Sequence, residues 1–455
     1  MNEVCFTYEG VLSLLLNLDP KKAVGPDAVS PVIMLRCAHV FASYLVILFN
    51  KSLREHALPN EWKSANVVPV FKSGKRQNVE NYRPVSLLSM PSKIMEHVIY
   101  SCIVKHLNGN NYFSSMQHGF RQSFSCTTQL IEFHHVLASN FDRGYQTDVI
   151  FVDFYKAFDM VPHSYLLHKL SFLGLDNDVL HWLREYLNDR AQRVVINGKR
   201  SSECKVTSGV PQGSVLGPLL FLVFINDITV GIQSHIRLFA DDCVIYREIQ
   251  SLNDSQKLQD DIVRVGLWCE TWGMRLNTNK CKAMRVSRKR STVDFSYKLG
   301  STNLEIVHEF KYLGITFSEN LKWTSHVNNV TAKAIRTLLF LFRNIRQATV
   351  KAKRDTYVSM VRPILEYACL VWDPHESFLI KKLERVQNIA ARLVFNCVGS
   401  NVSVSELKER LGWVTLATRR QELRLQMLDS IVNDKTGIVK ESYIKSPVFI
   451  SSRLD

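Results

Sequence analysis

The 455-residue sequence has no closely spaced cysteines, no internal repeat, no low-complexity tract and no hydrophobic run long enough to cross a bilayer. Its ten cysteines fall at positions 5, 37, 102, 126, 204, 243, 269, 281, 369 and 397, and the nearest two are twelve positions apart. This spacing excludes a Cys-x-x-Cys redox motif and a zinc knuckle. Scattered reduced thiols of an intracellular protein are expected instead. The apolar runs at 41–49 and 219–225 stop well short of the ~20 residues a membrane span needs. The first apolar run, 11–16, follows Glu3 and Glu9 rather than a basic segment, so no secretory signal is expected. A soluble chain with no membrane partner is the expectation.

What the chain does carry is ordinary globular composition and an uneven excess of positive charge. Hydrophobic residues make up 46% and charged residues 22%, which excludes a disordered or fibrous protein. The length leaves room for two to four domains. The formal charge is +15, and residues 1–250 contribute only +2 of it (24 basic against 22 acidic), leaving +13 to residues 251–455. A polyanionic partner gripped mainly by the second half would explain the asymmetry, and so would a simply basic surface. Two stretches lack acids altogether. Residues 271–293 hold seven basic side chains, and residues 320–354 hold eight. In the second stretch Ile335, Leu338, Leu339, Phe342 and Ile345 recur at helical spacing, so one helix face can pack while another presents charge.

Periodicity divides the chain coarsely. Helical patterns at 11–18, 33–49 and 93–106 are interrupted by Asp19-Pro20, Gly25-Pro26-Asp27 and a strand-like alternation at 66–70. Residues 149–152 form a continuous apolar run, the mark of a strand covered on both faces. Helices are expected after Val161-Pro162 and at 178–187. Residues 193–196 and 203–207 are expected to pair as a hairpin across Asn197-Gly198. An apolar helix at 219–225 and short strands at 236–240, 243–246 and 310–317 complete the α/β part. The remainder is mostly helical, with amphipathic patterns at 357–372, 383–395 and 419–431. Tyr297, Trp323 and Trp372 suit either base stacking or, more commonly, core packing.

Three acids stand where acids are expensive. Asp153 ends the run Val149-Ile150-Phe151-Val152, and Asp241-Asp242 lies between Leu238-Phe239-Ala240 and Cys243-Val244-Ile245. Desolvating a carboxylate costs several kcal/mol unless a cation or donors compensate. Hard divalent cations such as Mg²⁺ do so with oxygen ligands, and a pair of them supports in-line attack on phosphate. An Asp-Asp pair between strands can also be only a hairpin turn. Asp159, before Val161-Pro162, is expected to cap a helix rather than bind metal.

These segments occur in a recognisable order. Phe151-Val152-Asp153-Phe154-Tyr155-Lys156-Ala157-Phe158-Asp159, Gly209-Val210-Pro211-Gln212-Gly213-Ser214 and Phe239-Ala240-Asp241-Asp242 resemble the three core palm motifs of reverse transcriptases. Upstream, Lys22-Ala23-Val24-Gly25-Pro26-Asp27, Asn81-Tyr82-Arg83-Pro84-Val85-Ser86-Leu87-Leu88 and Gln117-His118-Gly119-Phe120-Arg121 resemble the finger motifs of non-LTR (LINE-type, jockey-like) retrotransposon enzymes. Trp272-Gly273-Met274-Arg275-Leu276-Asn277-Thr278-Asn279-Lys280 and Tyr312-Leu313-Gly314-Ile315 resemble the last two palm motifs.

The resemblance implies an α/β (α+β) right-hand polymerase, with fingers and a palm around a central antiparallel sheet, followed by an α-helical thumb and extension. Residues 1–145 would be the N-terminal extension and fingers, 146–320 the palm and 321–455 the basic helical thumb and extension. It further implies an RNA-directed DNA polymerase that adds dNTPs to a DNA 3′ end on an RNA template by two-metal catalysis. Asp153, Asp241 and Asp242 would be catalytic and would hold two Mg²⁺ ions (Mn²⁺ as the alternative) with the Phe154 carbonyl. Lys72 and Arg83 would hold the triphosphate. Phe158 would lie under the sugar and select deoxynucleotides, Gln212 and Gly213 would line the nucleotide pocket, Lys280 would protonate the leaving group, and Arg121 would touch the template. DNA synthesis would take place in the nucleus, with the protein cytoplasmic otherwise. Template and target preference and oligomeric state stay open. The chain is expected to be a fragment of a longer element product, without endonuclease, zinc knuckle or RNase H. A catalytically silent RNA-binding relic on the same fold is the alternative. A maturase-type enzyme is disfavoured by residues 81–88.

Overall fold

In a computed structural model the described residues are 1–397 and 402–444, so the end of the expected thumb segment lies outside them. Two sheets organise the molecule. The first contains β1 (Ser64–Phe71) paired antiparallel with β2 (Tyr82–Leu87). The second is built around β3 (Gln146–Val152). Later in the chain β4 (Arg190–Ile196) returns to the first sheet and runs parallel to β1, a non-local pairing that no sequence pattern announces. β5 (Lys199–Arg200) and β6 (Cys204–Val206) both pair with β4. The Asn197-Gly198 turn is therefore where it was expected, with both residues at positive φ. Its immediate partner strand is Lys199–Arg200, however, and the chain pairs with β4 again only at 204–206.

The second sheet has the order Glu305–Ile306, β9 (Lys282–Val286), β3, β8 (Asp242–Ile249), β7 (His235–Phe239). Every residue of β3 is buried. The alternation of side chains explains why. Ile150 and Val152 point into one core, shared with helices Leu216–Ile225 and Leu252–Thr271. Val149 and Phe151 point into another, shared with helices Cys126–Asp142, Thr324–Asn344 and Ser377–Val394. A strand between two cores needs apolar residues at consecutive positions, which is the pattern the sequence displays.

The helices follow the apolar periodicity with local corrections. The 33–49 pattern is two helices, Pro31–Arg36 and Ala38–Arg54, broken at Cys37. The 357–372 pattern breaks at Tyr367 and Ala368, where Ala368 takes a left-handed φ of 48°. Tyr297, Trp323 and Trp372 are all buried core residues. Asp159 caps no helix. It lies inside the short helix Ala157–Met160, which Lys156 precedes, and Pro162 precedes the next helix, His163–Ser171. The proline already sets the φ at that boundary, which leaves the Asp159 carboxylate free for other bonds.

One buried carboxylate ties two helices together. Glu96, fully buried on helix Met90–Gly109, accepts hydrogen bonds from the Val215 (2.8 Å) and Leu216 (3.2 Å) amides at the start of helix Leu216–Ile225. Burial pushes its carboxyl above the ordinary range, while those two amides and Arg190 pull it back down. Replacing Glu96 by Ala strands one buried and one partly buried amide and should cost about 2–3 kcal/mol of stability. Thermal unfolding of Glu96→Ala against Glu96→Gln checks this, and the Gln variant should lose distinctly less because it keeps an acceptor.

Candidate active site

The catalytic candidates converge because of strand register. β3 and β8 run antiparallel with Val152 opposite Cys243, so Asp153 leaves β3 at the same sheet edge where Asp242 enters β8. β7 and β8 form a tight hairpin, with Phe239 paired to Asp242, so Ala240-Asp241 is the whole turn. The hairpin reading of Asp241-Asp242 therefore holds, and the turn leaves both acids beside Asp153. Ala240 sits at φ 54°, a conformation that costs a non-glycine residue of order 1 kcal/mol.

The chain beyond Asp153 is fixed from the β9 side. The Asn277 amide donates to the Asp153 carbonyl (2.8 Å), the Tyr155 amide donates to the Arg275 carbonyl (2.8 Å), and Phe154 bridges to Leu276. This brings Lys280 into the site, with its Nζ 3.8 Å from Asp153 Oδ2. The segment quoted above as a late palm motif is therefore in register with the first.

The first sheet faces these acids with cations. Burial raises the Asp241 carboxyl, and the Asp153 charge raises it further, while Lys72 and Arg83 oppose the shift. Asp242 is pushed up to about 6 by desolvation first and by the Asp241 and Asp153 charges next, again opposed by Lys72 and Arg83. Asp242 is nonetheless exposed to solvent, which tempers the shift. Lys72 follows β1, its amide bonded to the Asn81 carbonyl (2.8 Å), and Arg83 lies on β2 opposite Val70; both side chains are exposed.

The other residues singled out in the sequence lie on neighbouring elements. The Ser86 amide of β2 donates to the Gln212 carbonyl (2.7 Å), and a Cβ on Gly213 would lie 2.4 Å from the Ser86 carbonyl oxygen. Only glycine permits that approach, and its φ of 122° is one other residues rarely adopt. Gln212 Nε2 donates to Asp159 Oδ1 (2.8 Å), which fixes the amide's orientation. Phe158 is half-buried and stacks on Phe221 with ring centroids 4.3 Å apart, and Phe120 meets it edge-on. Arg121 is placed differently from the rest. Its guanidinium donates to the Ser114 carbonyl (2.9 Å) and lies over the rings of Phe113 and Phe124, so it braces its own loop.

The donor set suits a hard divalent cation: oxygen ligands from three carboxylates, two of them held above the usual range by burial and by their neighbours' charge. In this arrangement the side chains are gathered at one edge without closing around an ion; among the described residues no three His, Cys, Asp or Glu side chains are set closely enough to hold one. Three participants have no role at the site in the sequence pattern. Glu96 and Gln117 are buried polar residues bonded to backbone far away in sequence, and Asp159 was assigned a cap. Gln117 lay within a quoted motif, and that was its only signal.

Known proteins resemble this chain in sequence. Residues 72–317, more than half of the chain, match the family described as "Reverse transcriptase (RNA-dependent DNA polymerase)". A probable RNA-directed DNA polymerase from transposon BS of Drosophila melanogaster is 29% identical over 86% of this chain and 44% of its own length. The RNA-directed DNA polymerase from mobile element jockey of the same species is 28% identical over 80% of this chain and 41% of its own length. The chain thus spans less than half the length of these curated relatives. Among solved structures, an apo telomerase from Candida tropicalis, truncated from the C-terminal domain, aligns at 10% identity with a TM-score of 0.40, covering 62% of this chain and 59% of that one.

The raised Asp242 pKa has a consequence for stability. A folded-state pKa above the unfolded value means that the native protein binds the extra proton between pH 4 and 6, so stability falls as pH rises through that window. Asp242→Asn should therefore raise the Tm of the metal-free protein at pH 8, and the gain should shrink toward zero by pH 4. Thermal melts across that range in chelator measure it.

Proposed function

Because the chain belongs to the reverse transcriptase (RNA-dependent DNA polymerase) family, we propose that it is the polymerase portion of a non-LTR retrotransposon protein, adding dNTPs to a DNA 3′ end on an RNA template. One observation carries the reading. Three carboxylates at one sheet edge share an electrostatic field with Lys72 and Arg83 on the opposing sheet. A site with acids on one wall and phosphate-binding cations on the other suits a triphosphate with its counterions. The family works with divalent metal, and we take the ion here to be Mg²⁺. Held by Asp153, Asp241, Asp242 and the Phe154 carbonyl, it would activate the primer hydroxyl and stabilise the departing pyrophosphate.

The chain's own groups would do the rest. Lys72 and Arg83 hold the triphosphate oxygens. The Phe158 ring, backed by Phe221, forms a fixed wall under the sugar against a 2′-hydroxyl. Gln212, its amide oriented by Asp159, and Gly213 border the nucleotide. Lys280 stands beside Asp153 as the proton donor to the leaving group. Helix Thr324–Asn344 buries Val327, Ala334, Leu338 and Phe342 and leaves Lys333, Arg336, Phe340 and Arg343 exposed on its outer side. Such a face suits template–primer phosphates, whose counterions are released on binding.

Primer extension by the purified chain on an RNA template, with Mg²⁺ and dNTPs, tests the proposal. Asp241→Asn with Asp242→Asn should lower synthesis by at least about a thousandfold. Unchanged synthesis, or none by the unmodified chain, would sink it. For the helix, replacing Lys333, Arg336 and Arg343 by Ala should weaken binding of any template–primer sequence. It should also flatten the salt dependence by roughly two to three units of log K per log salt. Filter binding from 50 to 300 mM salt reads both.

A further inference from the structure

Both backbone polar groups of Ala240, the residue before Asp241, are bonded to one side chain from a distant segment. Residues 116–119 run beside β7. The Leu238 amide donates to the Met116 carbonyl (2.9 Å), the His118 amide donates to the Leu238 carbonyl (2.9 Å), and Gln117 bridges to Leu238 in parallel. This turns the buried Gln117 side chain into the Ala240-Asp241 turn. Its Oε1 accepts from the Ala240 amide (2.9 Å) and the Gly119 amide (2.8 Å), and its Nε2 donates to the Ala240 carbonyl (3.4 Å). Gly119 closes the arrangement from the other side, because a Cβ there would lie 2.3 Å from the Ala240 nitrogen.

The segment is itself anchored. His118 donates from Nε2 to Glu132 (3.1 Å), and Arg237 of β7 pairs with the same carboxylate. Gln117 therefore reaches the turn from a backbone tied to two other elements.

We infer that Gln117 is a positioning residue for the Asp241 carboxylate. By clamping Ala240 in its left-handed conformation it sets the direction in which Asp241 leaves the turn, against the repulsion of Asp153 and Asp242. No other side chain among the described residues bonds the Ala240 backbone. The inference rests on the polymerase reading only for its catalytic consequence, since the clamp itself is a property of the protein alone.

The test uses the full chain and three variants. Gln117→Met keeps the length and removes the acceptor, Gln117→Glu keeps the acceptor oxygens, and Gly119→Ala crowds the Ala240 amide while leaving Gln117 in place. Hydrogen exchange of the Ala240 amide in metal-free protein should accelerate about tenfold in Gln117→Met and stay protected in Gln117→Glu. Mn²⁺ binding without nucleotide, read by electron paramagnetic resonance, should weaken about tenfold in Gln117→Met and in Gly119→Ala. The Mg²⁺ midpoint of primer extension should rise by a similar factor, while KM for dNTP at saturating Mg²⁺ stays within about twofold. A folded Gln117→Met with unaltered Ala240 exchange and unaltered Mn²⁺ affinity overturns the inference. So does a loss of synthesis with no change in the metal midpoint. Should Gln117→Met fail to fold, unaltered Mn²⁺ affinity in Gly119→Ala overturns it. A parent chain that synthesises nothing defeats the polymerase reading alone, and exchange and Mn²⁺ binding still decide the clamp.

Discussion

Mutual repulsion among three carboxylates at one sheet edge is the constraint around which the rest of the molecule is arranged. Left to themselves, such groups turn apart toward water or take up protons; burial first and the neighbouring charges next raise the Asp241 and Asp242 carboxyls, in the direction of the second tendency. Side-chain packing does little to oppose this, because a solvent-reaching carboxylate has no shape to lock into. The backbone does the holding. Asp153 is held by the Asn277 amide on its carbonyl, Asp241 by its tight turn, and Asp242 by the first pairing of β8. Lys72 and Arg83 approach from a separate sheet and lower the repulsion without occupying the edge.

A backbone that resists repulsion needs a stiff foundation, and β3 supplies it. Its apolar side chains enter two cores, and each well-buried aliphatic or aromatic side chain contributes roughly 1.5–3 kcal/mol. Movement of β3 disturbs both cores at once. The same logic extends outward through buried polar groups. Glu96 fixes the helix that follows Gln212-Gly213, and Ser86 links that loop to the strand carrying Arg83. The Gln212-Gly213 loop and the strand carrying Arg83 are thus joined to the core by directional bonds across long stretches of sequence. Each such bond is costly to lose, because its partner is already desolvated.

This division explains what the sequence disclosed. Apolar runs and turn residues are local signals, so β3, the Asn197-Gly198 turn, helix Leu216–Ile225 and the Asp241-Asp242 hairpin were legible. The order of short motifs, set against a known family, added Lys72, Arg83, Phe158 and Gln212, which composition alone leaves as ordinary loop or core residues. Non-local hydrogen bonds leave no periodic trace. The parallel pairing of β4 with β1, the cap by Glu96, the clamp by Gln117 and the bond from Gln212 to Asp159 were invisible for that reason. Asp159 was misread because Asp before a helix usually caps it, whereas here a proline already shapes that boundary. Arg121 shows the converse. A motif proposed it as a template contact, while its guanidinium is engaged by its own loop.

The uneven charge of the chain follows from the same constraint. The acid edge needs cations close by, but placing many of them inside it would neutralise the carboxylates and remove the field that attracts metal. Lys72, Arg83 and Lys280 are few and lie at its rim. The larger basic excess is kept apart, on helix Thr324–Asn344 and its neighbours. There Lys333, Arg336 and Arg343 project beside an exposed Phe340 and have no acidic partner among the described residues. Charges left unneutralised on a rigid helix repel one another modestly in water, since the Debye length is about 8 Å at physiological salt. They gain far more when a line of phosphates supplies the missing countercharge. The two fields thus sit on different elements, the acids at the paired ends of β3 and β8 and the unpaired cations on helix Thr324–Asn344.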